Sequence, residues 1–279
     1  MLCGLYVMEP RWFDDVYGPA ERASIERHLD IATPPLAAAG LTPDLLADVN
    51  VLVTGWGAPR LDAELLAAAP KLRLVLYGAG SVRPVVTADS WARGVRITCG
   101  AVANAEAVAE FALSQILYAL KHGWRYVLES RRAGRAVPRR DGEGVAGALV
   151  GLTSLGAAGR ATAVLLARHG VRLQAYDPHV DPAVAAALGV RLVDERALVD
   201  VLRRRPDLFA VLDVTDPEPP PPGSPLFSLP NVVVTPHLAG SLGLECRRMG
   251  QAMADELDRY VRGEPLRYEV FESAMDTTA

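Results

Sequence analysis

LVGLTSLGAAGRATAVLLARHGVRLQAYDPHV, residues 149–180, decides how this chain is read. It runs as a strand, a glycine-rich turn, a helix and a second strand that ends at an acid, Asp177. That is the plan of a dinucleotide site, where a pyrophosphate rests on a helix N-terminus and a carboxylate grips an adenosine ribose. The turn is Ser154-Leu155-Gly156-Ala157-Ala158-Gly159, so a serine stands at the first position where glycine is expected. Asp177 follows Gly156 at close to the roughly 20-residue spacing of a ribose-binding acid. Its charge favours NAD over NADP, because it repels a 2′-phosphate, and Arg172 is badly placed to reverse this. A side chain at Ser154, where the chain turns tightest, predicts weaker binding rather than none.

Strand–helix alternation continues on both sides. Upstream, the pattern predicts a strand at Leu5–Val7 and a helix over Pro19–Leu29. A buried strand at Val51–Thr54 then leads into Gly55-Trp56-Gly57. Asp62–Ala69 follows as a helix with Asp62 as its N-cap, then a buried strand Leu72–Tyr77 that ends at Gly78-Ala79-Gly80-Ser81. Such alternation points to a parallel sheet with helices on its faces. Glycines after a strand let a ligand approach the backbone, though tight turns alone would also explain both clusters. Asn104–His122 is a long apolar helix suited to a core or a subunit interface, and Arg132–Gly144 reads as a surface connection. Downstream come a helix at Pro182–Leu188, a strand at Val190–Val193, a helix at Asp194–Arg204 and an apolar strand at Leu208–Val214. A proline-rich turn, a last strand at Asn231–Thr235, Pro236-His237 and an amphipathic helix at Leu244–Gly263 close the chain.

The bulk properties bound the class. Half of the 279 residues are hydrophobic and 22% are charged, which suits a soluble globular protein. A net charge of -4 argues against a nucleic-acid partner, whose phosphates need a basic face. Cys3, Cys99 and Cys246 have no metal-binding spacing, so reduced thiols in a cytoplasmic protein and no metal are expected. The first residues lack a basic stretch followed by a long apolar run and no window approaches ~20 apolar residues, so neither a signal peptide nor membrane association is expected.

Several segments together carry a resemblance: GWGAPRLDAELLAAAPKLRLVLYGAGSV, NAEAVAEFALSQIL, residues 150–180, DERALVDVLRR, LDVTDPEP and SPLFSLPNVVVTPHLAGS. In this order they resemble the D-isomer-specific 2-hydroxyacid dehydrogenases. The resemblance implies an α/β fold of two Rossmann-like lobes with parallel sheets. Residues 1–103 with 244–279 would form the substrate domain, and residues 104–243 the inserted NAD-binding domain. It implies hydride transfer between NAD(H) and a 2-hydroxy or 2-keto acid. His237 would be the general acid/base, apt because an ordinary imidazole titrates near ~6.5, and Glu218 would hold its other ring nitrogen. Backbone amides of Gly78, Ala79, Gly80 and Ser81 would take the substrate carboxylate. Ser154, Gly156, Ala157, Ala158, Gly159, Asp177 and Asp213 would face the cofactor, and a homodimer would form through the Asn104–His122 region.

One departure is large. The family carries an arginine, in Ala-Arg-Gly, just before a VDE-x-AL helix; a forked guanidinium suits a carboxylate and carbonyl. Here Val193-Asp194-Glu195-Arg196-Ala197-Leu198 follows directly on Ala187-Leu188-Gly189-Val190-Arg191-Leu192, and Arg191 is in a different register. About two strand–helix units, on the order of 50–60 residues at ~30 each, are expected to be missing near 189–193. The strand Leu208–Val214 is then expected to slide beside Leu149–Thr153, giving strand order 3-2-1-4. This would carry Glu218 and His237 by ~10 Å from the usual nicotinamide position. The expectation is therefore a dehydrogenase with impaired or altered activity. The alternative is a non-catalytic relative that binds a small molecule or a partner.

Overall fold

The computed structural model describes residues 1–31, 33–139, 144–193 and 198–275. The strands, in chain order, are β1 (Leu2–Val7), β2 (Leu29–Asp30), β3 (Val51–Thr54), β4 (Leu74–Tyr77) and β5 (Arg96–Cys99). There follow β6 (Leu149–Thr153), β7 (Arg172–Tyr176), β8 (Val190–Leu192), β9 (Ala210–Leu212), β10 (Val232–Val234) and β11 (Glu269–Val270). The chain divides into two compact units, Met1–Asn104 with Ser241–Ala279, and Ala105–Gly240.

In the first unit the strands lie in the order β11-β5-β4-β3-β1-β2, all parallel except β11 against β5. The sequences VLVT and LVLY are buried at every position, as strands covered on both faces must be. Leu52, Val75 and Ile97 face one core with Leu61, Leu66 and Leu72. Val51, Val53, Leu74 and Leu76 face the other, with Tyr17, Met249, Met253 and Leu257. Asp62 caps its helix as expected, accepting from the Leu65 amide at 3.0 Å. The helix from Pro19 stops at Glu26, because Leu29–Asp30 leaves it to pair with β1. β11 is held to β5 by a bidentate pair, Arg96 Nε and Nη2 on Glu269 Oε1 and Oε2 at 2.7 and 2.6 Å.

The helix Arg247–Val261 packs very closely on the chain around Val16. A Cβ built on Gly250 would lie 1.9 Å from the Val16 carbonyl oxygen, a backbone atom that cannot swing away. Gly250→Ala is therefore expected to destabilise this unit by about 3 kcal/mol, at the upper end of ordinary overpacking. The urea midpoint measures it, and an unchanged midpoint would refute the close packing.

The second unit has two sheets. β6, β7 and β8 form one, parallel throughout, over a small core of Val150, Leu155, Ala163, Leu166, Leu173, Ala175, Ala185 and Val190. Leu113, Ile116 and Leu120 of the helix Ala101–Leu120 pack against it. β9 and β10 form the other, a parallel pair in the register Ala210↔Val232 to Leu212↔Val234. The expected order 3-2-1-4 is thus not formed: β9 pairs with β10, not with β6. Two grips account for this. Asn231 Nδ2 donates to the carbonyls of Leu202 and Leu208, both at 3.0 Å, and of Arg205 at 3.4 Å. Arg125 donates to the carbonyls of Pro206, Asp207 and Leu208. These fix the approach to β9 where one of its edges pairs with β10.

Among the described residues no strand pairs with the other edge of β6, opposite β7. Ala148 and Ser154 bond toward the β7 side, through Arg172 N–H to Ala148 O and Ser154 N–H to Tyr176 O. The alternate residues Leu149, Gly151 and Thr153 therefore aim their backbone groups the other way. All three are exposed, Leu149 by 51%. The helix read over Asp194–Arg204 is described as Leu198–Arg204, and residues 194–197 lie outside the described residues.

Candidate active site

The turn after β6 explains its own sequence. Ser154 sits at φ +77°, the left-handed region that glycine enters freely and other residues seldom do. Gly156 is the N-cap of the helix Ala157–Leu166. A Cβ on Gly159 would lie 2.4 Å from the Ser154 carbonyl oxygen, so only glycine lets the helix close over the turn. The first-turn amides of Ala157, Ala158 and Gly159 have no intrahelical acceptor, and among the described residues no N-cap side chain serves them. Such a helix end suits a pyrophosphate.

Asp177, at the end of β7, turns toward this loop. Its Oδ2 accepts from Leu155 N–H at 2.6 Å and Ser154 Oγ at 3.3 Å; its Oδ1 accepts from the amides of His179 at 2.8 Å and Val180 at 3.1 Å. Burial pushes the carboxyl up, but the three amides and the hydroxyl outweigh it and hold Asp177 below the usual carboxylate range. Its charged form therefore adds stability above that range, and the contribution is lost as pH falls through the lowered value. The turn thus fits a dinucleotide's phosphates, while the acid meant for the ribose is already engaged.

The second cluster lies around β9 and β10. His237 Nδ1 is 2.5 Å from Glu218 Oε1, with the imidazole 61% exposed and the carboxylate 37%. His237 stands at φ +52°, and its backbone is held from both sides. Asp213, just after β9, accepts from Thr235 Oγ1 at 2.5 Å and from the amides of Leu238 and Ala239 at 3.0 and 2.9 Å. His237 N–H donates to Thr235 O at 3.0 Å. With Nδ1–H directed to Glu218, Nε2 is the nitrogen left to exchange a proton with a ligand. Sequence reasoning missed this anchoring by Asp213 and Thr235.

Gly78–Ser81 follows β4 in the first unit. Gly78 N–H donates to Thr54 O at 2.8 Å, and Tyr17 Oη donates to the same oxygen at 2.7 Å. A Cβ on Gly78 would lie 2.5 Å from Tyr17 Oη, so the buried tyrosine requires glycine here. The Cys99 thiol donates to Gly80 O at 2.6 Å, and burial pushes that thiol up to about 11. Among the described residues the amides of Ala79, Gly80 and Ser81 have no acceptor, which leaves successive N–H groups for an anion. Arg191 lies on β8, the edge strand farthest from β6, and its side chain is exposed.

Residues 190–239 match the family described as D-isomer specific 2-hydroxyacid dehydrogenase, NAD binding domain. A D-3-phosphoglycerate dehydrogenase of Mycobacterium leprae is 32% identical over 260 aligned positions, covering 74% of this chain and 48% of that protein. The chain spans about half the length of this and the similar mycobacterial relatives. A glyoxylate reductase of Korarchaeum cryptofilum is 26% identical over 316 positions, covering 92% of this chain and 94% of that protein. Since 92% of 279 residues fill only part of 316 positions, about 60 have no counterpart here, the size of two strand–helix units. The crystal structure of a phosphoglycerate oxidoreductase from Rhizobium etli superposes with a TM-score of 0.77 at 22% identity, over 99% of this chain and 100% of that one. The fold is shared with these enzymes, and by its sequence the chain belongs to the D-isomer-specific 2-hydroxyacid dehydrogenases.

Proposed function

We propose that this chain interconverts a 2-keto acid and a 2-hydroxy acid with NAD(H). The observation that carries the reading is the His237–Glu218 pair at 2.5 Å, on a loop anchored by Asp213. NADH, when bound, supplies the hydride. His237 Nε2 gives a proton to the keto oxygen, or takes one from the hydroxyl in reverse. Glu218 keeps Nδ1 protonated and stabilises the imidazolium before it donates. The free amides of Ala157, Ala158 and Gly159 hold the pyrophosphate, and those of Ala79–Ser81 take the substrate carboxylate. Residues 1–103 with 244–279 serve the substrate, and residues 104–243 serve NAD.

The number of positions without a counterpart matches the shortening read near 189–193, which would remove the family's arginine; Arg191, exposed on an edge strand, is not placed to replace it. We therefore expect turnover with weak substrate affinity, in a homodimer formed through the Asn104–His122 region, where Tyr118 is exposed. Titrating NADH against intrinsic fluorescence and then assaying NADH oxidation with 2-keto acids tests the reading. Binding with turnover supports it. Binding without turnover would assign the chain to a non-catalytic relative, the reading that the lost arginine favours.

A further inference from the structure

Ser154 differs from a glycine here in two ways. Its backbone is held at φ +77°, where a Cβ costs strain, and its hydroxyl joins the turn to the acid, donating to Asp177 Oδ2 and accepting from Gly156 N–H, both at 3.3 Å. With Leu155, His179 and Val180, this brings four donors to one carboxylate. A carboxylate offers about four lone-pair positions, so none is left for the two hydroxyls of a ribose. Three of the donors are backbone amides and would be present whatever residue stood at 154. The serine hydroxyl is the one side-chain donor among them.

We propose that Ser154 is an affinity-determining residue of the dinucleotide site, a latch that holds Asp177 on the turn and must be displaced before the adenosine ribose can bind. This rests on reading the turn as a dinucleotide site. A ribose hydroxyl and the serine hydroxyl compete for the same oxygen, Oδ2, so binding exchanges one bond for another where a glycine turn would gain one outright. The phosphates, held by the helix N-terminus, do not compete for Asp177. The latch therefore lowers affinity for ligands that carry the ribose and leaves affinity for pyrophosphate alone unchanged.

Two variants separate the latch from the backbone strain: Ser154→Ala removes the hydroxyl and keeps the strain, while Ser154→Gly removes both. Binding of ADP-ribose and of inorganic pyrophosphate is measured by calorimetry, after a thermal melt has shown each variant folded. Both variants are expected to bind ADP-ribose about tenfold more tightly than the parent, a typical scale for one bond to a charged acceptor, with pyrophosphate unchanged. The gain is expected to vanish in an Asp177→Asn background, because the latch acts only through that carboxylate. Unchanged or weaker ADP-ribose binding in both variants would overturn the latch and leave the dinucleotide site standing. Failure of the parent and both variants to bind either ligand would overturn the dinucleotide reading itself.

Discussion

His237→Asn is expected to lower 2-keto acid reduction by about 10³-fold and to leave the dissociation constant for NADH within about twofold. Asparagine is the right replacement because His237 stands at φ +52°, and asparagine tolerates that region better than most residues. The anchors of the loop are Asp213, Thr235 and the amides of Leu238 and Ala239, none of which uses the imidazole. The substitution therefore removes the proton carrier and spares the scaffold. Glu218→Gln probes the other half of the pair. An amide cannot stabilise the imidazolium as a carboxylate does, so the rate is expected to fall by about 10²-fold, with the loop intact. Single-turnover rates at saturating NADH read both effects. A full rate in His237→Asn would remove the pair from the reaction.

Gly159→Ala is expected to weaken NADH binding by about 10²-fold. The added Cβ would meet the Ser154 carbonyl at 2.4 Å, so either the helix Ala157–Leu166 retreats or the turn opens. Both responses move the amides of Ala157 and Ala158 away from a bound phosphate, and displacements near 1 Å are enough for losses of this order. Gly156→Ala is the informative control. Its φ of -67° suits any residue, and its nearest neighbour would be Ser154 Oγ at 3.5 Å, so the melting temperature should stay close to that of the parent. Fluorescence titration with NADH distinguishes the two, and equal NADH affinity in Gly159→Ala and the parent would show that the turn does not hold the phosphates.

The parts of this fold that were legible in the sequence are those set by short-range spacing. The glycine turn, Asp177 and the Asp62 cap are local patterns, and β3 and β4 are unbroken apolar runs. What was not legible depends on distant partners. β11 has two residues and exists through Arg96 and Glu269, more than a hundred residues apart in the chain. The partner of β9 is not set locally, because a three-residue strand carries little pairing preference, and the grips of Asn231 and Arg125 on its approach have no sequence signature. In the site, the resemblance brought Glu218 and His237 forward together, and the structure pairs them. The direction of Asp177 and the anchoring by Asp213 escaped notice, since spacing locates a carboxylate but not the donors it turns toward.

The separate pairing of β9 with β10 reaches beyond the sheet. From Leu202 to Ala239 the segment is bonded to itself, by Asn231 to its own carbonyls, by Asp213 to its own amides and by Glu218 to His237. No strand of β6–β8 shares a ladder with it. Over evolutionary time such a piece can be inherited whole. Whole strand–helix units can be lost upstream while the His237–Glu218 pair keeps its internal geometry, so this segment and the glycine turn after β6 are open to separate revision.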